Sequence, residues 1–358
     1  MRCIFKQGLL AAFCLCMAAC QKEAPVEAPK TIIDLPANGE QAGALSGGTK
    51  LPAPPKVDVL KSNDWPKAEL TSGQAFVSCQ LDPVDNDDDH GEALVDLSYA
   101  NVTSALQPCE KTDVVRLRYQ GKIATDFTAL VERVANIAER LHIETRVLDL
   151  DSSGGHVEDA MKAGDAIGAS RWSLWVREDA ICHSACVLIL AAGDDRQISG
   201  KVGIHRMIRV DSTATTRAEL SQELREVYAQ MKEYLERNGA AVTVADLMMT
   251  VPNRKLRLLT KTELEEYGLE GTNAVQDDLE RISQTRKCGE DFVVRKDDFT
   301  RAFERECKQP DKTPQEIDAC GLALREGFGF PDEKCPIESP LSALDAKGAS
   351  SPSQGGTE

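Results

Sequence analysis

The sequence is short of basic residues, of long apolar runs and of paired metal ligands. Its 358 residues hold 42 lysines and arginines against 58 aspartates and glutamates, a formal net charge of −16. Such an acidic chain repels phosphate groups, which argues against nucleic acid as a partner. After residue 20 no stretch reaches the roughly 18 apolar residues that a membrane-spanning helix needs. No internal repeat is present, and no two cysteines have the Cys-x-x-Cys spacing of a zinc site.

The first twenty residues have the pattern of an export signal. Arg2 and Lys6 precede an apolar stretch from Gly8 to Ala19, which is short for a membrane span. The segment ends in Met17-Ala18-Ala19-Cys20, which resembles a bacterial lipobox. The resemblance implies removal of residues 1–19, lipidation of Cys20 and attachment to the outer membrane facing the periplasm. The alternative is an ordinary secretory signal.

Eight further cysteines remain in the expected mature chain. An even number of cysteines in an exported protein predicts disulfides. Closeness along the chain favours one bridge between Cys79 and Cys109 and another between Cys182 and Cys186. Two more bridges are expected among the last four cysteines, for which a zinc site is the alternative; these are Cys288, Cys307, Cys320 and Cys335.

Composition divides the rest of the chain. Residues 20–70 are rich in proline, alanine, glycine and lysine and predict a flexible tether. Residues 71–112 form an N-terminal extension with an acidic cluster at 85–89, for which a solvated loop is favoured over a calcium loop. Residues 113–272 form the main domain, 273–340 a cysteine-rich C-terminal region, and 341–358 a disordered tail.

The main domain alternates between strand and helix patterns. Residues 114–119 and 146–150 predict strands, 120–122 a turn, and 126–141 and 157–169 helices. Residues 184–192 predict a short buried helix, and 217–238 a long amphipathic helix that ends at Gly239. Alternating strands and helices favour an α/β fold built around a parallel sheet.

Three short motifs occur in a fixed order within this domain. A strand leads into Asp151-Ser152-Ser153-Gly154-Gly155, a second segment contains Cys182-His183-Ser184-Ala185-Cys186, and a third ends in Gly203-Ile204-His205. With the closing segment 259–269, they resemble the Clp-protease/crotonase superfamily, most closely its exported ClpP-like serine proteases. The resemblance implies a spiral of βαβ units and assembly into homo-oligomers.

The same motifs supply a candidate catalytic site. Ser184 is the expected nucleophile and His205 the expected general base, since imidazole accepts a proton near neutral pH. The backbone N–H groups of Gly155 and Ala185 are the expected oxyanion donors. Alternatively, Ser184 caps a helix, or His183 or His156 serves as the base. A disulfide between Cys182 and Cys186 would hold Ser184 in place and exclude a cysteine nucleophile.

A third catalytic residue is harder to find. The family pattern has an aspartate before the closing helix, where residues 251–257 contain no carboxylate. Asn253 is the first candidate to orient the imidazole, as asparagine does in papain-like enzymes. Asp246 is a second candidate, and a Ser–His dyad is a third possibility. No cofactor and no metal are expected.

These observations predict a lipid-anchored serine peptidase of the bacterial cell envelope that acts on a peptide or protein. The main alternative is a binding or structural lipoprotein that keeps the fold without catalysis. Two further alternatives are an acyl-CoA enzyme, which export disfavours, and a Ser–Lys mechanism that uses Lys201 or Lys255.

Overall fold

The computed structural model describes residues 32–34, 45–46, 62–81, 91–209, 212–309, 312–342 and 344. The expected signal peptide, Cys20, the acidic cluster at 85–89 and most of the predicted tail lie outside these residues. The strands are β1 Ile32–Asp34, β2 Leu45–Ser46, β3 Gly73–Ser78, β4 Glu92–Ala93, β5 Val114–Ile123, β6 Thr145–Gly155, β7 Ser173–Val176, β8 Ile181–His183, β9 Asp195–Ile198, β10 Lys201–Ile204, β11 Ile208–Arg209, β12 Lys255–Leu258 and β13 Gly271–Thr272.

Ten α-helices accompany these strands in the described part of the chain. They are α1 Tyr99–Leu106, α2 Thr125–Arg140, α3 Val157–Ala169, α4 Cys186–Ala191, α5 Arg217–Arg237, α6 Thr243–Thr250, α7 Lys261–Glu266, α8 Ala274–Cys288, α9 Glu290–Glu306 and α10 Pro314–Glu326. None of them is both long and apolar enough to cross a lipid bilayer.

The long strand β6 is the centre of the main sheet. The sheet runs β1-β12-β10-β8-β6-β5-β3-β4, and β7, β9 and β13 branch from β6. Strand β6 pairs in parallel with β5 along its length, with β7 near its start and with β8 at Ser152. Helices α2 and α3 connect β5, β6 and β7, so the predicted α/β fold built from βαβ units is confirmed. The turn predicted at 120–122 is instead an irregularity within β5.

Helices cover the sheet with their apolar faces. In α2 the buried residues recur every three or four positions, as the sequence pattern predicted: Phe127, Leu130, Val131, Val134, Ile137 and Ala138. All six residues of α4 are buried, which matches the predicted buried helix. Helix α5 begins with a capping box between Thr216 and Glu219, and Gly239 follows it with a positive φ of 73°.

The N-terminal part of the chain is more closely joined to the domain than predicted. Trp65 and Leu70, assigned to the tether, are buried in the main core. Strands β1 and β2, also from that stretch, pair with β12 and β11. Strand β3 pairs with β5 in the same sheet. These contacts join non-local parts of the chain, which composition does not reveal.

The C-terminal region forms a small appendage of three helices. Its own apolar cluster contains Phe292, Val293, Phe299 and Phe330. Bridges Cys288–Cys335 and Cys307–Cys320 close it, as expected for a small core that needs covalent support. The predicted bridges Cys79–Cys109 and Cys182–Cys186 are also formed. Among the described residues, no group of three or more metal-binding side chains is placed to hold an ion.

Candidate active site

Two neighbouring strands place Ser184 and His205 at the same edge of the sheet. Strands β8 and β10 are parallel, with His183 opposite Gly203. Ser184 follows β8 directly, and His205 follows β10. The Ser184 N–H donates to the carbonyl oxygen of Gly203 at 2.8 Å. The serine and the histidine therefore leave adjacent strands in the same direction, although 20 residues separate them in sequence.

The backbone at Ser184 has an unusual conformation. Its φ is +62°, in the left-handed region that costs a non-glycine residue about 1–2 kcal/mol. The turn leads into α4, and the Cys182–Cys186 disulfide spans it with a Cα–Cα distance of 5.3 Å. Ala185, and not Ser184, holds the N-cap position of α4, with no side-chain cap. The helix-cap interpretation therefore does not account for Ser184.

Gly154 at the end of β6 lies directly against Ser184. A Cβ atom at Gly154 would lie 2.6 Å from Ser184 Cβ, 2.7 Å from the His183 carbonyl oxygen and 3.0 Å from Ser184 Oγ. Gly154 also has a positive φ of 100°, and its N–H donates to Ser152 Oγ at 3.1 Å. Only glycine fits both this backbone conformation and this close contact.

The two expected oxyanion donors belong to residues next to this contact. Gly155 follows Gly154 and packs so closely on β5 that a Cβ there would lie 2.0 Å from the Ile123 carbonyl oxygen. Ala185 follows Ser184 and precedes α4, and the first N–H groups of a helix have no partner within it. Gly155 and Ala185 thus flank the Gly154–Ser184 contact from two different elements.

The Ser184 hydroxyl is buried without a structural role. Ser184 is 0% exposed and His205 is 1% exposed. The Ser184 Oγ atom makes no hydrogen bond within the described part of the chain. The hydrogen bond that a nucleophile and its general base would share is therefore not formed between Ser184 and His205. An unpaired buried hydroxyl costs about 1–3 kcal/mol. Such a cost at a strained position is typical of functional sites.

His205 is held by the backbone next to it. Its Nδ1 atom lies 3.2 Å from the carbonyl oxygen of Arg206. A proton on Nδ1 would donate to this carbonyl and leave Nε2 able to accept a proton. Burial lowers the pKa of His205, and the contact with the Arg206 carbonyl partly opposes this effect. His205 is therefore neutral near pH 7, the state that a general base requires.

Neither candidate for the third catalytic residue makes a hydrogen bond to His205 in the described part of the chain. Asn253 is exposed in the turn between α6 and β12, and the described residues show no hydrogen bond between it and His205. The Asp246 carboxylate accepts a hydrogen bond from the Tyr228 hydroxyl. The Arg206 carbonyl is the partner that the structure gives to the imidazole, an arrangement that fits a Ser–His dyad.

The two other histidines near the site, His183 and His156, are less suited to act as the general base. His183 packs beside Gly203 and Leu256, and burial lowers its pKa to about 4, with a smaller contribution from His205. So low a pKa makes it a poor proton acceptor. His156 follows Gly155 at the start of α3, and its buried Nδ1 has no partner in the described part of the chain.

Two remaining alternatives fail for simple chemical reasons. Lys201 and Lys255 are exposed, whereas a lysine that acts as a general base is typically buried. Cys182 and Cys186 are bonded to each other, so neither is a free thiol.

Sequence reasoning did not identify two features of the site. The first is the contact of Gly154 with Ser184, although the Gly-Gly pair in the motif was a visible signal. The second is the Arg206 carbonyl as the partner of His205. A backbone group carries no sequence signal, so no motif could have indicated it.

Comparison with known proteins gives matches only among solved structures. No family model matches the chain, and no curated protein matches it. A variant of the membrane-bound stomatin-specific protease 1510-N is 19% identical over 46% of this chain and 81% of its own, with a TM-score of 0.35. A second variant, in complex with a substrate peptide, is 19% identical over 43% and 71%, with a TM-score of 0.34.

A variant of ClpP1 from Listeria monocytogenes is 15% identical and covers 46% of this chain and 92% of its own, with a TM-score of 0.36. These matches cover less than half of the chain at low identity.

Proposed function

We propose that this protein is a serine hydrolase that cleaves peptide bonds, with Ser184 as nucleophile and His205 as general base. The observation that carries the proposal is the state of Ser184. Its backbone is held at a φ of +62°, its hydroxyl is buried without a partner in the described part of the chain, and Gly154 packs directly against it. No structural role of the side chain explains this arrangement.

The proposed chemistry is acyl transfer. The Ser184 oxygen attacks the carbonyl carbon of the substrate while His205 Nε2 takes the hydroxyl proton. The N–H groups of Gly155 and Ala185 stabilise the oxyanion, and each such donor contributes about 3 kcal/mol. His205 then gives the proton to the leaving amine as the C–N bond breaks. Water, activated by the same imidazole, releases the acyl group from Ser184.

The burial of the site adds a requirement to this mechanism. With Ser184 and His205 almost fully buried, substrate binding has to open the site and bring the hydroxyl within hydrogen-bonding distance of the imidazole. Catalytic hydrogen bonds are often long without substrate and shorten when it binds.

The cellular setting belongs to the same proposal. We infer that Cys20 carries a lipid anchor, that the protein faces the periplasm from the outer membrane, and that it assembles into homo-oligomers. Four disulfides support an oxidising compartment, because such bonds are rare in the cytosol. Metabolic labelling with an alkyne-tagged fatty acid tests the anchor, and the Cys20→Ser variant should lose the label.

A fluorophosphonate probe tests the catalytic serine directly. We expect the probe to label the purified protein and its Ser153→Ala variant but not its Ser184→Ala variant. Ser153 is an exposed serine of the same motif as Gly154, so it controls for non-specific reaction. Mass spectrometry of the labelled peptide should locate the adduct on Ser184.

A non-catalytic binding protein is the second candidate function. The missing hydrogen bond between Ser184 and His205 favours it. A folded wild-type protein that no fluorophosphonate labels, and that cleaves no peptide, would rule out the hydrolase and leave this second function.

A further inference from the structure

A cavity of about 520 Å³ is lined in part by the residues that directly follow the candidate base in the sequence. The four residues that follow His205 form one wall, and helix α5 and the turn between α6 and β12 form others. The lining includes Arg206, Met207, Arg209, Leu224, Pro252 and Asn253. Its size is in the range of cavities that bind small ligands or single peptide side chains. The wall starts at Arg206, the residue after the candidate base, and His205 itself is not among the lining residues.

The charged residues that line the cavity within the described part of the chain are arginines. Arg206 and Arg209 both line it, and no described aspartate or glutamate does, although acidic residues outnumber basic ones in this chain. The Arg209 guanidinium is already paired, with Glu223 at 3.2 Å and Glu158 at 4.0 Å. The Arg206 side chain is exposed and has no ion-pair partner within the described residues. Arg206 is therefore the cation available to a ligand.

The rest of the lining is mainly apolar. Met207 and Leu224 are almost fully buried, and Leu220 at the rim is 37% exposed. Apolar walls with one well-placed charged group are typical of sites that bind an apolar group and fix its orientation through a polar one. A guanidinium pairs especially well with a carboxylate, because its planar donors match the two oxygens.

We propose that this cavity binds the substrate segment beside the cleaved bond, and that Arg206 selects segments with a carboxylate next to an apolar side chain. The carboxylate comes either from an aspartate or glutamate or from a free C-terminus. This inference rests on the proposed function, because it assigns a substrate class to the same site. The Arg206 carbonyl oxygen lies 3.2 Å from His205 Nδ1, so the backbone of the proposed specificity residue is in contact with the base.

Matched peptides test the selectivity on the full mature protein. One fluorogenic peptide carries an apolar residue next to glutamate, and its pair carries glutamine instead. A second pair consists of a neutral peptide with a free or an amidated C-terminus. In one of the two pairs, we expect kcat/KM to be about tenfold higher for the peptide with the carboxylate than for its neutral counterpart. A charge-assisted hydrogen bond gives a difference of this size. The pair that shows the difference identifies the source of the carboxylate.

Three arginine variants separate the specific role of Arg206 from general effects of charge. Arg206→Gln should remove the preference, mainly through a higher KM for the carboxylate peptide, and Arg206→Glu should reverse it in favour of a lysine peptide. Arg254→Gln is the matched control, because Arg254 is exposed in the nearby turn and is not among the lining residues. It should keep the preference.

The outcomes distinguish this inference from the proposed function. If Ser184 reacts with the fluorophosphonate and peptides are cleaved without any carboxylate preference, the inference about Arg206 is wrong and the hydrolase remains. Equal loss of preference in Arg206→Gln and Arg254→Gln would also overturn it. If no peptide is cleaved and Ser184 is not labelled, the proposed function fails, and the substrate class fails with it.

Discussion

Ser184 combines a strained backbone with a hydroxyl that no other group uses. A turn that only had to join β8 to α4 would be more stable with glycine, since glycine adopts a positive φ freely. A serine cap would direct its oxygen to the helix N–H groups, yet Ala185 holds that position without a side-chain bond. The serine therefore costs stability locally, and a chemical role for its oxygen explains the cost.

Replacement of Gly154 tests whether the close contact with Ser184 matters. The Gly154→Ala variant should lose about 2–4 kcal/mol of unfolding free energy, from the positive φ and from the clash with Ser184. Its fluorophosphonate labelling should fall sharply, because the serine has to move. Gly271→Ala is the matched control, since Gly271 has a φ of +74° with no atom within 4 Å of an added Cβ. Denaturant titration and labelling rates compare the two variants.

The control variant should lose only the cost of its φ, about 1–2 kcal/mol. It should label at the wild-type rate. Equal losses of stability and reactivity in the two variants would contradict the assigned contact.

The pH dependence of labelling reports the protonation state of His205. Burial lowers the pKa of His205 from its ordinary value of 6.5, so the neutral base persists below that pH. We expect labelling of Ser184 to fall only below pH 6.5, with a midpoint lower than that of a free imidazole. A midpoint above 6.5 would show that His205 is not the base. His183, with a pKa of about 4, should not titrate between pH 5 and 8.

The same two histidines make stability depend on pH. Both pKa values are lower in the folded state, so between pH 6.5 and about 4 the unfolded chain binds more protons. The contribution of these two histidines to the free energy of unfolding should therefore be fully present above pH 6.5 and decrease as the pH falls through this range. Asp194, whose pKa burial raises to about 6, contributes in the opposite direction. Urea titrations at several pH values measure the net effect.

At the scale of elements, the site depends on how strands β6, β8 and β10 end. Each strand stops at the same edge of the sheet: β6 leads directly into helix α3, β8 through a tight turn into α4, and β10 into a loop. The Cys182–Cys186 bridge joins strand β8 to the first residue of α4, and both cysteines are fully buried. It limits the conformations open to the two residues that carry the nucleophile and one oxyanion donor.

Two double variants separate the positional role of this bridge from its effect on stability. On chain-entropy grounds, Cys182→Ala/Cys186→Ala should cost about 2 kcal/mol, and Cys307→Ala/Cys320→Ala, with its longer loop, about 3 kcal/mol. Labelling of Ser184 should nevertheless fall only in the first variant. Thermal unfolding and fluorophosphonate rates measure the two effects. If labelling follows stability instead, the bridge has no positional role.

At the scale of the whole molecule, the described residues form two apolar clusters. The larger one contains residues of the sheet, of α1 to α7 and the buried residues Trp65 and Leu70, and the smaller one lies within the C-terminal appendage. Helix α8 has no buried residue, so it contributes little packing to either cluster. The site belongs entirely to the larger cluster.

A shortened chain tests the independence of the main domain. A protein that ends after Gln276 keeps Asn273, which donates to the carbonyl oxygen of Asn238 at 2.9 Å, and loses the appendage. We expect it to fold cooperatively and to label at Ser184 within about threefold of the full chain, because no site residue lies beyond that point. Circular dichroism and labelling check both statements. A folded but unreactive product would assign the appendage a part in the site.

Local patterns in the sequence were enough to predict the elements. The helical periodicity of residues 126–141, the helix end at Gly239 and the order of the three motifs all depend on neighbours in the chain. They led to the α/β fold and to Ser184 and His205 as candidates. Closeness along the chain led to the bridges Cys79–Cys109 and Cys182–Cys186, and left the pairing of the last four cysteines open. The position of Trp65 depends on contacts with residues far away in the sequence. Composition does not record such contacts, and it assigned the segment that contains Trp65 to a tether.

The amino-acid sequence by itself thus determined which residues could perform the chemistry and which elements carry them. Only the tertiary structure decided that Gly154 contacts Ser184, that a carbonyl rather than Asn253 or Asp246 meets His205, and that Arg206 faces a cavity. The physical reason is that these relations join separate strands and turns. They arise from packing between residues far apart in the chain, whereas periodicity and caps record interactions within a few residues.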